Sequence, residues 1–206
     1  MKVLEEFTGV DNLEFRTVEY DPSQLDKLKE FCVKCGEEGN KNNASLKALK
    51  FGKWGALEYW TLVYHKDDII SMSGAHYLPH IHDKCFYVNY RLATLKEWRL
   101  ACKPQGKLTQ MTNEFGFGKM IPWQIDWALE QGATLCVNTT VGPDYEDNTG
   151  TMHKIWKVAK WIYPMHNKFT MIYEDFPLYG VKQDVYRFNL RNFATLEPIN
   201  YGVNNV

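Results

Sequence analysis

The sequence predicts one α/β domain, and three observations carry that prediction. Segments rich in aromatic and β-branched residues recur along the chain. Amphipathic stretches of helical period separate several of them. No repeat, low-complexity run or Pro/Gly/Ser-rich linker divides the 206 residues, so residues 1–206 read as a single domain.

The elements follow in order. Leu13–Tyr20 alternates with period two and reads as a strand. Asp21-Pro22 supplies a helix cap and a first-turn proline, and Leu25, Leu28 and Cys32 follow at helical spacing until Gly36 or Gly39. Ala44–Lys50 fits a short second helix. Glu58–His65 and Ile69–Tyr77 are strands joined by a Lys66-Asp67-Asp68 turn, which makes a hairpin. Cys85–Leu92 is a further strand, and Glu97–Cys102 has helical character. A helix from near Lys119 to Gly132 leads to the strand Ala133–Val137. Met152, Ile155, Trp156, Ala159 and Ile162 mark the last helix, and Phe169–Tyr173 and Val181–Leu190 close the chain as strands.

Composition narrows the function classes. Hydrophobic residues make up 45% and charged residues 24%, the balance of a globular protein, and the net charge of −1 gives no basic footprint for nucleic acid. No apolar run has the length of a membrane span, and the acidic Met1–Glu6 segment does not read as a signal peptide. The cysteines Cys32, Cys35, Cys85, Cys102 and Cys136 are odd in number, which favours reduced thiols and a cytoplasmic setting. Cys32 and Cys35 have CxxC spacing, but inside a helical pattern and without a second pair, so they read as helix cysteines.

The densest chemical signal is Asn113-Glu114-Phe115-Gly116-Phe117-Gly118 ahead of the helix that holds Pro122. Glycines let the chain approach a ligand closely, and a helix start offers unpaired N–H groups at a positive dipole end. Pro122 has no N–H and suits a first turn, so the amides of Phe117 to Ile121 are expected to be free for phosphate.

This segment, with the element order β-α-α-β-β-β-α-β-α-β-β, resembles the GCN5-related N-acetyltransferase (GNAT) superfamily. Gly116-Phe117-Gly118 and the run to Ala133 look like that family's acyl-CoA motif, although Asn113 stands where the family usually has Arg or Gln. The resemblance implies a central, mixed, mostly antiparallel sheet flanked by helices, with splayed fourth and fifth strands. It implies acetyl-CoA as co-substrate and direct attack by a small amine or exposed amino group. The cofactor would touch Phe115, Gly116, Phe117, Gly118, Lys119, Met120 and Ile121, the main chain of Leu92, Ala93 and Thr94, and Asn148. A homodimer stays open as an assembly.

Three other features bear on chemistry. The family's last helix often carries a Tyr that protonates the leaving thiolate. Here Met152-His153-Lys154-Ile155-Trp156 has none in register, which leaves His153, or Tyr163 or Tyr145 flanking that helix, for that role. His76, His80 and His82, with Asp83 and Cys85, could hold a metal, form an ordinary polar turn, or supply a general base, His80 among them, at the acceptor mouth; no full ligand set is visible. The acidic residues Asp144, Glu146 and Asp147 could attract a cationic amine, and Asn138 is a hydrogen-bonding candidate for the cofactor or acceptor. Trp123 and Trp127 share one helix face and read as core.

Overall fold

The computed structural model describes residues 3–8, 14–37, 46, 49–101, 117–141 and 169–189. Its strands are β1 (Val3–Thr8), β2 (Glu14–Glu19), β3 (Glu58–His65), β4 (Asp68–Tyr77), β5 (Cys85–Thr94), β6 (Leu135–Val141), β7 (Phe169–Leu178) and β8 (Val181–Phe188). Its helices are α1 (Leu25–Glu37), α2 (Lys96–Ala101) and α3 (Phe117–Glu130). The strands form one sheet in the order β1-β2-β3-β4-β5-β6-β8-β7. All neighbours are antiparallel except β5 and β6, which run parallel with α3 as their crossover. The sheet is thus mixed and mostly antiparallel, as the resemblance implies.

Local chemistry accounts for several boundaries. Asp21 Oδ1 accepts from the Ser23 amide at 2.8 Å, and a 3-10 turn over Pro22–Gln24 leads into α1. Leu28, Phe31, Cys32 and Cys35 are the buried stripe of α1. At the far end of α3, Gly132 adopts φ 84°, and the Ala133 amide returns to the Ala128 carbonyl at 2.9 Å. A two-residue turn with Tyr179 at φ 54° and Gly180 at φ 80° joins β7 to β8.

The structure corrects three expectations. The helix starts at Phe117, not Lys119, so Pro122 lies in its second turn. The Gly118 carbonyl there loses the bond that residue 122 would otherwise donate. The sheet gains β1, an edge strand whose paired Glu5 and Glu6 hide any alternation of apolar and polar residues. Trp123 and Trp127 are half-buried rather than core. Trp127 stacks on Tyr59 with centroids 5.2 Å apart and meets the edge of Phe86 at 5.5 Å. Met120, Gln124, Ile125 and Ala128 are the residues α3 buries. The last helix and the Asn113–Gly116 turn lie outside the described residues.

Close packing at the centre of the sheet gives one prediction. Gly74 of β4 lies opposite Trp60 of β3, and a β-carbon on it would come within 2.8 Å of the buried indole. Gly74→Ala is therefore expected to destabilise the fold by about 1–3 kcal/mol, the usual cost of overpacking. The midpoint of urea unfolding measures it.

Candidate functional site

β5 and β6 pair over three residues, from Cys85 opposite Leu135 to Tyr87 opposite Val137, and then separate. The separation is built into β5. Its register with β4 shifts twice around Gly74, and Asn89 (φ 62°) and Arg91 (φ 53°) adopt left-handed conformations. Such conformations are uncommon for residues with a β-carbon, and bulges of this kind re-aim a strand.

Side chains take over the backbone groups that the lost pairing strands. Asn138, at the start of the diverging part of β6, donates from Nδ2 to the Val88 carbonyl at 2.7 Å. The Asn89 amide donates to Gln124 Oε1 of α3 at 2.8 Å. Ser73 Oγ donates to Asn89 Oδ1 at 3.0 Å. Gln124 and Asn138 are both buried, so each would be costly there without these bonds. The splay is therefore a satisfied polar structure. Asn138 is committed to β5 in this arrangement, where the sequence suggested a ligand contact.

α3 begins at the separated end of the strand pair. Met120, in its first turn, packs in the same cluster as Ala93 and Leu95 beyond the β5 bulges. The amides of Phe117, Gly118 and Lys119 have no partner within the helix by its geometry, whereas the Ile121 amide lies inside the helical ladder. At the end of β5 the Ala93 carbonyl already accepts from Ser71 Oγ at 3.0 Å.

A second cluster gathers around His76, near the end of β4. Its ring stacks on Trp54 at 4.9 Å and 2°, lies at 5.6 Å from Tyr87, and meets Tyr90 edge-on at 4.6 Å. Nδ1 lies 2.7 Å from the Tyr77 carbonyl, which fixes the proton on Nδ1 and leaves Nε2 to accept. Nε2 lies 3.1 Å from the hydroxyl of Tyr179, at the tip of the β7–β8 hairpin. Tyr87 in turn bonds Thr139 at 2.7 Å, and Thr139 bonds Gln183. Glu58 anchors the Trp54 loop by accepting from the Gly52 and Trp54 amides and from Trp60 Nε1.

Burial pushes the His76 pKa down to about 4, against the Tyr77 carbonyl and Glu58, which favour the charged form. The folded value lies below the usual 6.5, so the neutral ring favours folding above pH 6.5. That contribution is lost as pH falls toward 4, by up to about 3 kcal/mol. His76→Gln should flatten this part of the acid limb, which unfolding midpoints at pH 7 and pH 4.5 would measure, each compared with the parent.

The other sequence candidates fall as follows. His80 and His82 are exposed in the turn between β4 and β5, and His82 Nδ1 contacts the Asp83 carbonyl. Cys85 is buried, and no group of three metal-ligating side chains converges among the described residues. Cys32 and Cys35 are buried in α1, and burial pushes the Cys32 thiol up to about 12. Phe115, Gly116, Tyr145, Asn148, His153 and Tyr163 lie outside the described residues, as do Asp144, Glu146 and Asp147. Sequence reasoning missed Trp54, Gln124, Arg91 and Tyr179. Only the cross-strand and helix-to-strand packing brings them together.

No family model matches the chain, and no curated protein matches it. Solved structures do align with it. An acetyltransferase of GNAT family from Streptococcus pneumoniae is 9% identical, with a TM-score of 0.49 over 84% of this chain and 98% of its own. An acetyltransferase from Streptococcus agalactiae is 11% identical, with a TM-score of 0.47 over 84% and 97%. An aminoglycoside 6'-acetyltransferase type Ii is 12% identical, with a TM-score of 0.46 over 83% and 94%. Likeness at this level carries neither a residue role nor a chemistry to this chain.

Proposed function

We propose that this protein is an acyl-CoA-dependent N-acyltransferase that moves an acetyl group from acetyl-CoA to an amine. The observation that carries the reading is the parallel β5/β6 pair. It opens after Tyr87 and Val137, is held open by Asn138 and Gln124, and has the start of α3 at its open end. A gap between strands can take an extended amide-bearing chain, and a helix start can take the pyrophosphate attached to it. Pantetheine and pyrophosphate are that combination.

In this reading the amides of Phe117, Gly118 and Lys119 hold the pyrophosphate with the glycine turn before them. The pantetheine lies along β5 towards Leu92, Ala93 and Thr94. The neutral amine attacks the thioester carbonyl, the C–S bond breaks, and CoA leaves as a thiolate. The amine gives one proton to a base, and the thiolate takes one from an acid. His153 and Tyr163 are the candidates for that acid. Among the histidines near the β4–β5 turn, His76 is neutral near pH 7 and reaches outward through Tyr179, while His80 is at the surface. No helix among the described residues is long and apolar enough to cross a membrane. The reading places the enzyme in the cytoplasm with its thiols reduced.

The test has two parts. Calorimetry should detect acetyl-CoA binding, and release of free thiol from acetyl-CoA should depend on an added amine. Binding without amine-dependent release over a broad amine panel would favour a non-catalytic CoA-binding protein. The altered Asn113 and the absence of a Tyr in register near His153 favour that second reading.

A further inference from the structure

We propose that Arg91 reads a carboxylate on the acceptor, so that the substrate is a small amine that also carries a carboxylate, an amino acid being the simplest case. This rests on the acyltransferase reading above. Arg91 occupies the second left-handed position of β5, at the point where that strand has left β6. Holding a long side chain at φ 53° costs about 1 kcal/mol or more, and such strain clusters where a side chain must be aimed.

The aim is visible. The guanidinium lies 5.0 Å from the centre of the Tyr90 ring. Tyr90 in turn packs against His76, Tyr87 and Tyr179, with ring centroids 4.6, 5.4 and 6.3 Å away, so the cation borders this aromatic cluster. Its Nε is buried and has no hydrogen-bond partner among the described residues. A buried guanidinium N–H without an acceptor is an expensive arrangement, and the planar fork of donors fits a carboxylate in two-point fashion.

The surroundings suit the rest of such a substrate. Tyr90 is half-buried under the cation, and Tyr179, 42% exposed, packs on Tyr90, so flat apolar surface continues from it. A fixed positive charge near the acceptor nitrogen also disfavours its ammonium form, which keeps the nucleophile neutral. The acceptor's own carboxylate offsets the repulsion that a plain cationic amine would meet there.

The experiment compares matched acids and amides. N-acetylphenylalanine and N-acetylphenylalaninamide, the product and its uncharged analogue, are titrated into wild type with and without saturating coenzyme A, and phenylalanine and phenylalaninamide likewise. Each acid should bind about ten- to a hundred-fold more tightly than its amide, the range for a charge-assisted pair. In Arg91→Gln the preference should shrink to about twofold or less, with acetyl-CoA affinity and the unfolding temperature kept. Arg91→Lys, which keeps the charge but not the fork, should fall between. Wild type that binds acid and amide alike, or neither, overturns the proposal. So does a folded Arg91→Gln that keeps the preference, or one that loses acetyl-CoA instead. Absence of acetyl-CoA binding in wild type refutes the acyltransferase reading. The acid–amide comparison on unliganded protein still decides the role of Arg91.

Discussion

Gly118→Asp is expected to weaken acetyl-CoA binding by two orders of magnitude or more, equivalent to about 3 kcal/mol or above. The residue lies in the first turn of α3, where unpaired amides and the positive end of the helix dipole make a site for anions. An aspartate there brings a negative charge against a pyrophosphate and a side chain into space that the ligand needs. The folded state itself should tolerate the change, since a carboxylate in a first turn is favourable to the helix. This separates a binding defect from an unfolding one. Calorimetry with acetyl-CoA, alongside a thermal melt, reads both. Unchanged affinity in a folded variant would remove the pyrophosphate from α3.

The second large effect concerns turnover. If His153 supplies the proton to the thiolate, His153→Ala should lower CoA-dependent turnover by about 10²–10⁴-fold while acetyl-CoA affinity stays nearly constant. Tyr163→Phe is the matching test of the alternative acid. On the acceptor side, His76→Gln or Tyr179→Phe should lower turnover more than His80→Ala, because His76 and Tyr179 are bonded to each other in the aromatic cluster and His80 is exposed in a turn. Free-thiol release at saturating acetyl-CoA measures all five. Full turnover in every variant would show that none of these groups carries the proton.

Much of the sheet was legible because aromatic and β-branched residues crowd Glu58–His65, Asp68–Tyr77 and Cys85–Thr94, where burial is heaviest. The edges were less so. Val3–Thr8 carries two adjacent glutamates, and the second half of Phe169–Leu178 carries Glu174, Asp175 and Pro177, residues that an edge strand tolerates and a pattern search discounts. The helix that begins at Phe117 was legible from its apolar period and the glycine that ends it; the Asn113–Gly116 turn before it lies outside the described residues. The device that opens the cleft was not legible. Gln124 reads as an ordinary helix residue until the Asn89 amide is seen to need it, and Asn138 reads as a ligand contact until it is seen on the Val88 carbonyl. Trp54, His76 and Tyr179 come from three separate segments, and no spacing in the sequence links a loop, a strand end and a hairpin tip.

The central claim is that the gap between β5 and β6 receives acyl-CoA. A crystal structure of the protein soaked with acetyl-CoA tests it most directly. The account predicts the pyrophosphate on the amides of Phe117, Gly118 and Lys119, and the pantetheine between the diverging parts of β5 and β6, with Asn138 still on the Val88 carbonyl. Cofactor bound away from this gap, or β5 and β6 paired along their full length with no room between them, would contradict it.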